Sequence, residues 1–172
     1  MAAANPVVGI VMGSDTDLDV LKEAKETLDR LGIPHEVVVA SAHRTPERAR
    51  KYVREAERRG LKVLIAGAGG AAALPGFLAS ETRLPVIGVP IAATPLGGLD
   101  ALLSMVQMPR GVPVATVAIG EWGATNAAVL AAEILALSDG DIQSRLAAFK
   151  STLAAEVEER SRRLTARLST NA

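Results

Sequence analysis

Short runs of β-branched and other apolar residues recur along the chain, and segments of helical composition lie between them. The runs are VVGIVMG (7–13), HEVVVAS (35–41), KVLIAGAG (62–69), LPVIGVP (84–90) and VPVATVAIG (112–120). Continuous apolar runs are typical of strands that are buried on both faces of a parallel sheet. The alternation therefore predicts a doubly wound α/β sandwich, a three-layer α/β/α fold with a central parallel sheet.

Two segments between these runs have clear helix boundaries. The segment 18–32 places apolar residues on one face and ends at Gly32, which is a good helix stop. The segment 46–60 begins with Pro46, which suits the first helical position, and it also ends at a glycine. Both segments fit the helical layers of the predicted sandwich.

A longer helical pattern runs from Asp141 to about Leu168, over roughly 40 Å at 1.5 Å per residue. Its apolar stripe consists of Ile142, Leu146, Phe149, Leu153, Val157, Leu164 and Leu168. One interpretation is a helix that folds back on its own core, and the other is an arm that docks on another subunit. We favour the arm, and we expect a nucleotide-binding sandwich over 1–140 followed by an intersubunit helical arm over 141–172.

Length and charge limit the classes of partner. The chain has 172 residues, which suits one domain with a real core. It has 19 Lys and Arg residues against 19 Asp and Glu residues, so it lacks the broad positive field that attracts nucleic acid or an anionic membrane. We therefore expect a small-molecule partner, no nucleic acid and no membrane, and any anion site has to be local.

Cysteine is absent from the chain. This excludes disulfides, thiolate nucleophiles and cysteine-ligated metals, and it suits a reducing compartment. The N-terminal MAAANP lacks the length and the basic region of a signal peptide, and Gly and Pro interrupt the apolar stretches before they could span a membrane. We expect a soluble, cytoplasmic protein.

The loops that follow the strands are the candidate site, because ligands of open parallel sheets bind at the carboxyl ends of the strands. The first loop is GSDTD (13–17), in which Ser14 and Thr16 supply hydroxyls and Asp17 precedes a helix. Backbone N–H groups there can hold a phosphate with help from Ser14, although the lysine of a P-loop is missing. Plain helix capping by these polar residues is the alternative interpretation.

The second loop is SAHRTP (41–46). Arg44 offers a planar fork of donors that suits phosphate, and Ser41 adds a hydroxyl. The neighbouring His43 would then lie beside whatever the phosphate carries, so we expect it to be functional rather than an ordinary loop residue. The chain's other histidine, His35, opens a strand at the opposite end of the sheet, and we interpret it as structural.

The third loop is AGAGGAAALPG (66–76). Glycines at positions such as Gly69 and Gly70 allow close backbone approach, and the N–H groups from Ala71 to Leu74 could bind a planar ligand. Alternatively, the glycines only let a helix pack closely on a strand. Because this loop and the two preceding ones converge on one sheet edge, we expect a shared site.

A further stretch, SMVQMPRGVPVATVAIG (104–120), follows the predicted strand at 84–90. Its Gln107, Met108 and Pro109 stand where they could form a lid over the site.

The motifs GSDTD, SAHRTP, AGAGGAA, LPG and QMPRGVPV, in this order and spacing, resemble the bacterial class I PurE family. This is the N5-carboxyaminoimidazole ribonucleotide mutase family, the catalytic subunit of phosphoribosylaminoimidazole carboxylase. The resemblance runs from about Val7 to about Leu137. It implies a flavodoxin-like fold, a homo-octamer with shared active sites, no metal or organic cofactor, and movement of a carboxylate from an exocyclic nitrogen to a ring carbon in purine biosynthesis.

The resemblance also implies roles for individual residues. Ser14, Ser41 and Arg44 would hold the 5′-phosphate. Asp17 would hold the ribose hydroxyls, and His43 would be the catalytic proton shuttle. From the character of the third loop itself, we expect Gly69, Gly70, Ala71 and Leu74 to bind the remainder of the substrate.

The chain departs from the family motif at Ala73, because the usual AGAGGAAHLPG has a histidine there. That histidine is either an auxiliary group or its loss impairs the protein, so a catalytically silent nucleotide-binding homologue is an alternative. A second alternative is a carboxylase that uses free CO2. The related animal-type carboxylases usually show SAHKT, however, so Arg44 and Pro46 favour the mutase.

A flavin-binding electron-transfer module is the alternative from a different functional class. Such modules usually stack the flavin ring against aromatic side chains. The few aromatic residues here, Tyr52, Phe77, Trp122 and Phe149, are widely scattered in the sequence.

Overall fold

The computed structural model describes residues 5–170, with only the backbone of Thr170. Residues 1–4, which begin the stretch predicted not to be a signal peptide, lie outside this range. The strands are β1 Val8–Met12, β2 His35–Val39, β3 Val63–Gly69, β4 Val86–Ile91 and β5 Ala115–Thr116. The helices are α1 Leu18–Arg30, α2 Pro46–Ala56, α3 Ala73–Glu81, α4 Leu99–Val106, α5 Glu121–Ala136 and α6 Gly140–Thr170, with 3₁₀ turns at Asp15–Asp17 and Glu57–Arg59.

The five strands form one parallel sheet in the order β2-β1-β3-β4-β5. In the centre of the sheet, Ile10 of β1 is in register with Val37 of β2 on one side and with Ile65 of β3 on the other. The chain thus leaves β1 in one direction to form β2 and then returns past β1 to form β3. This order confirms the predicted flavodoxin-like, doubly wound fold.

Helices cover both faces of the sheet. Successive residues of a strand point to opposite faces, so Ile10 joins a core cluster with α1 and α5 while Val11 joins a cluster with α2, α3 and α4. The first four residues of β3, from Val63 to Ala66, are all fully buried. The continuous apolar run of β3 is therefore the consequence of a core on each side.

Two predicted strands differ from the expectation. β2 is not buried on both faces: it lies at the sheet edge, and Val37 and Val39 are 39% and 38% exposed. β5 covers only Ala115–Thr116 of the predicted 112–120. The strand cannot extend regularly before β5, because Pro113 has no N–H to donate. After β5 the chain stays beside β4 only through isolated hydrogen bonds, such as the one from the Val117 N–H to the Gly88 carbonyl at 3.0 Å.

The long helix α6 divides into an anchored and a projecting part. Ile142 and Leu146 are buried in the core cluster that contains α5, and Lys150 pairs with Glu133 of α5 at 2.5 Å. Beyond this point the apolar side chains lose their cover and are between 47% and 65% exposed: Leu153, Val157, Leu164 and Leu168. No helix within residues 5–170, α6 included, combines the length and the apolar character that a membrane span needs.

Candidate functional site

A cavity of about 370 Å³ opens at the carboxyl ends of the central strands. It is lined by Gly13, Ser14, Thr16, Asp17, Ser41, Ala42, His43, Arg44, Ala68, Gly69, Ala72, Ala73, Leu74 and Ala93. These residues come from the carboxyl end of β3, from the start of α3 and from the loops after β1, β2, β3 and β4. We refer to residues 13–17 and 41–46 as the polar loops and to residues 66–76 as the glycine loop.

The first polar loop is held by its own side chains. The carboxylate oxygen Oδ2 of Asp17 accepts the Ser14 N–H at 3.0 Å, and the Ser14 hydroxyl accepts the Thr16 hydroxyl at 3.0 Å. The Ser14 hydroxyl in turn donates to Asp15 at 3.2 Å. The capping interpretation and the ligand interpretation are therefore compatible, because the bonds that shape the turn also place Ser14 and Asp17 in the cavity wall.

Burial raises the pKa of the half-buried Asp17 carboxyl above its ordinary value. Hydrogen bonds from the N–H groups of Ser14 and Gly13 and the positive charge of Arg44 oppose this effect without cancelling it. The carboxylate thus sits in a site where its charge is costly in the absence of a further donor. Hydroxyl groups of a ligand would supply such donors.

The second polar loop is a compact turn that leads into α2. The Ser41 hydroxyl accepts the Arg44 N–H at 3.1 Å, and the Thr45 hydroxyl oxygen accepts the Ser41 N–H at 3.0 Å. Pro46 then occupies the start of the helix, as predicted. The guanidinium Nη2 of Arg44 donates to the Gly13 carbonyl at 2.8 Å and so ties the two polar loops together.

His43 projects from the same turn into the cavity wall and is exposed. Within residues 5–170 its imidazole has no hydrogen-bond partner, whereas the ring of His35 lies 2.9 Å from the Ile33 carbonyl and 3.8 Å from Asp29. His35 opens β2 at the far end of the sheet from the cavity. Of the two histidines, His43 is therefore the one available to a ligand.

The glycine loop contributes backbone and small side chains. A Cβ on Gly69 would lie only 2.4 Å from the Cβ of Ala93, so glycine is required where this loop passes the loop after β4. Gly70 has a φ of 60°, and Ala72 adopts the left-handed region at φ 44° before α3 begins at Ala73. The first N–H groups of a helix have no acceptors within the helix, so those of Ala73 and Leu74 remain available at the cavity.

The structure brings most of the predicted site residues together. Those that line the cavity are Ser14, Asp17, Ser41, His43, Arg44, Gly69 and Leu74. Gly70 and Ala71 are not among the lining residues, because they form the turn that reverses the chain between β3 and α3. The structure also places Ala73, where the family motif has histidine, directly in the cavity wall.

Ala93 is a lining residue that the sequence analysis missed. It follows β4, so the rule that selected the other loops applies to it equally. The sequence gives no indication of chemistry in this loop, because no charged residue follows β4 before Asp100.

The stretch 104–120 does not contribute to this cavity within the chain. None of Gln107, Met108 and Pro109 is a lining residue, and Met108 instead packs its sulfur about 3.0 Å from the position a Cβ would take on Gly76. The prediction of a lid from these residues is therefore not met within one chain.

The groups available for cofactor chemistry are few. No three His, Asp or Glu side chains in residues 5–170 are grouped as metal ligands. None of the four aromatic side chains, Tyr52, Phe77, Trp122 and Phe149, lines the cavity. The cavity thus lacks the aromatic surface on which flavin-binding modules usually stack their ring.

Comparison with known proteins reveals relatives along almost the whole chain. The chain is 55% identical to the N5-carboxyaminoimidazole ribonucleotide mutase of Pyrococcus horikoshii over 164 residues, covering 95% of this chain and 92% of the relative. It is also 55% identical to the protein of the same name from Bacillus subtilis, covering 82% of this chain and 87% of the relative.

A solved structure agrees with these matches. The crystal structure of Treponema denticola PurE superposes with a TM-score of 0.84 at 30% identity, covering 92% of this chain and 98% of that chain. The AIR carboxylase family profile matches residues 7–156, which extends past the predicted limit at Leu137 into α6. The chain belongs to the AIR carboxylase family.

Proposed function

We propose that this chain is an N5-carboxyaminoimidazole ribonucleotide mutase, an isomerase of purine biosynthesis that produces 4-carboxy-5-aminoimidazole ribonucleotide. The relatives that carry this name match it over most of their length. The observation that carries the proposal is the convergence of the His43 imidazole and the Arg44 guanidinium on the cavity at the sheet edge.

The cavity suits a ribonucleotide with a defined orientation. Ser14, Ser41 and Arg44 would bind the 5′-phosphate through hydroxyl and guanidinium donors. Asp17 would accept hydrogen bonds from the ribose hydroxyls, which would compensate the cost of its buried charge. The aminoimidazole ring would then lie toward the glycine loop, with Gly69 and Leu74 in the wall and Gly70 and Ala71 shaping the turn behind them.

His43 would be the catalytic residue. In the first step, the bond between the exocyclic nitrogen and the carboxyl carbon breaks, CO2 is released inside the site, and the nitrogen takes a proton from the imidazolium. In the second step the ring carbon attacks the CO2, and the imidazole takes the proton from that carbon. The two transfers balance, so no external acid, base or cofactor is consumed, and an imidazole suits both.

Ala73 bears on whether this site is complete. It places a methyl group where the family motif carries a histidine, so the proposal requires that His43 suffices as proton carrier. The alternative is a silent nucleotide-binding homologue, and a carboxylase that uses free CO2 is the other candidate from the sequence.

An assay that supplies each substrate separately distinguishes these functions. A mutase converts N5-carboxyaminoimidazole ribonucleotide directly, whereas a carboxylase acts on aminoimidazole ribonucleotide with bicarbonate. We expect turnover of the carboxyamino nucleotide in the absence of added bicarbonate. Activity only with the second substrate pair, or no activity with either, would contradict the mutase.

The proposal includes a cytoplasmic homo-oligomer, an octamer by resemblance, in which residues 141–172 act as an intersubunit arm. It is supported by the apolar side chains of α6 that no part of the described chain covers, from Leu153 to Leu168. The anchored part up to Lys150 belongs to the core, so the arm in this sense begins near Leu153. The cytoplasm is proposed because a cysteine-free chain suits a reducing compartment.

Truncation tests the arm. Deleting residues from Ala154 onward removes exposed residues and leaves the anchored contacts of Ile142 and Leu146 intact. Sedimentation should then show smaller or aggregating species, while the far-UV circular dichroism spectrum should still show the helices and strands of the sandwich. An unchanged assembly after truncation would contradict the arm and leave the proposed chemistry untouched.

A further inference from the structure

A second cavity of about 330 Å³ adjoins the first at the polar loops. Its lining residues are Gly13, Ser14, Asp15, Val39, Ser41, Arg44, Thr45 and Arg48. Ser14, Ser41 and Arg44 line both cavities, whereas Asp17, His43 and the glycine loop line only the first. The residues proposed to bind phosphate therefore stand at the junction of the two cavities.

Arg48 is the cationic residue that lines only the second cavity. It is exposed, lies one helical turn beyond Arg44, and has no hydrogen bond or ion pair within the described part of the chain. The other arginines of α2 and the 3₁₀ turn after it are engaged: Arg50 and Arg54 with Glu81, Arg58 with Glu55, and Arg59 with Glu36. Among the described arginines of α2 and this turn, Arg48 is the one whose donors are all unused.

The charge balance of the second cavity also favours an anion. Arg44 and Arg48 are its cations, and Asp15 is the acid among its described lining residues. One oxygen of Asp15 already accepts the Thr16 N–H at 3.1 Å and the Ser14 hydroxyl at 3.2 Å. The carboxylate is thus occupied in shaping the loop, while neither guanidinium is paired with a carboxylate.

We propose that Arg48 is a second cationic contact for the nucleotide phosphate, which it approaches from the side opposite to the sugar. This inference rests on the proposed function for the identity of the ligand. A phosphate monoester is mostly a dianion at neutral pH, so a single guanidinium does not match its charge. Arg44 and Arg48 together supply two planar donor forks and two positive charges.

Calorimetric binding of aminoimidazole ribonucleotide and of its dephosphorylated nucleoside tests this role. Arg48→Ala should weaken the ribonucleotide about tenfold, because a charge-assisted contact at an exposed site is lost. It should leave the nucleoside affinity unchanged, and Arg48→Lys should recover part of the loss. In turnover the loss should appear in KM more than in kcat.

Arg58→Ala is the matched control, because it removes the same charge from an exposed residue in the turn that continues α2, remote from both cavities. An equal loss in this variant, or an equal loss of nucleoside affinity in Arg48→Ala, would overturn the phosphate contact. So would unchanged ribonucleotide binding by Arg48→Ala in an active enzyme. Ribonucleotide binding that depends on Arg48 but is not followed by turnover would support the phosphate contact and contradict the mutase function. The experiment therefore distinguishes a failure of the Arg48 proposal from a failure of the proposed function.

Discussion

The polar loops and the glycine loop line the same cavity but are built on different principles. The polar loops present side chains that are hydrogen-bonded to backbone: Arg44 donates to the Gly13 carbonyl, and the Asp17 carboxylate accepts the Ser14 N–H. The glycine loop presents backbone, with Gly69 in near contact with Ala93 and with the left-handed Ala72 before α3. The first region therefore offers a ligand side-chain groups, and the second offers backbone that small side chains leave accessible.

This difference predicts two kinds of mutational response. Substitutions in the polar loops should alter turnover or affinity while the fold persists, because their groups are exposed or half-buried. Substitution of Gly69 in the glycine loop should alter the fold first, because an added Cβ meets the packed side chain of Ala93.

The largest expected effect is at His43. His43→Asn removes the proposed proton carrier and should lower turnover by at least about 100-fold, the lower range for a general acid or base, while ligand affinity stays near normal. Steady-state kinetics with calorimetric binding separates the two. His35→Asn is the control, since His35 lies at the other end of the sheet, and near-normal turnover in the His43 variant would contradict the shuttle.

The next effect is on affinity at Arg44. Arg44→Ala removes a charge-assisted contact to phosphate and should weaken ribonucleotide binding by about 2 kcal/mol, roughly 30-fold. It also removes the bond to Gly13, which couples the two polar loops. A thermal melt that stays close to that of the parent protein is required for the interpretation, and a loss of nucleoside affinity of the same size would contradict it.

Gly69→Ala sharpens the contrast by placing a methyl in the glycine loop. Its Cβ would lie 2.4 Å from the Cβ of Ala93 and 3.1 Å from the Ile91 carbonyl oxygen. We expect the free energy of unfolding to fall by about 1–3 kcal/mol, as for overpacking in general. Adding Ala93→Gly should recover part of the loss, whereas Gly140→Ala, which has no atom within 4 Å of the added Cβ, should be close to neutral.

A smaller effect is expected from Ala73→His, which restores the family residue in the glycine loop. If His43 alone carries the proton, the present chain is active and this variant should change turnover or affinity by less than about tenfold. Both proteins have to be compared at the same verified oligomeric state. An inactive parent that becomes active only through this substitution would contradict the proposed function while preserving the fold and the phosphate site.

The smallest effect concerns stability at Asp17. The pKa of Asp17 in the folded protein is raised above the ordinary 3.8. On acidification the folded protein therefore binds this proton at a higher pH than the unfolded chain does. The unligated fold accordingly loses stability as pH rises through the folded pKa. Asp17→Asn should therefore melt at a higher temperature than the parent at pH 7, with the difference shrinking on acidification. A difference that is constant with pH would contradict the burial effect, and weaker ribonucleotide binding by the variant is expected in addition.

The sequence predicts the residues that line the cavity most accurately where their side chains have recognisable chemistry. Ser14, His43 and Arg44 have side chains whose chemistry is recognisable before any fold is known, and all of them line the cavity. Ala93 has no such chemistry and was missed, although it comes close enough to Gly69 to require glycine there. Gly70 and Ala71 share the composition of the loop but lie in the turn between β3 and α3 and do not line the cavity.

The sequence by itself determined the alternation of elements, the parallel sheet and the side chains at the strand ends, because local apolar patterns and turn residues are encoded within short windows. Only the tertiary structure decided that β2 is an edge strand, that residues 104–120 do not line the cavity and that α6 is anchored up to Lys150. Within the described residues it also showed that Arg48 has no ion pair, whereas Arg50 and Arg54 of the same helix pair with Glu81. Such features depend on which distant segments come into contact. The hydrogen bond between Arg50 and Glu81 and the close approach of Gly69 and Ala93 each join two segments, so neither segment alone predicts them.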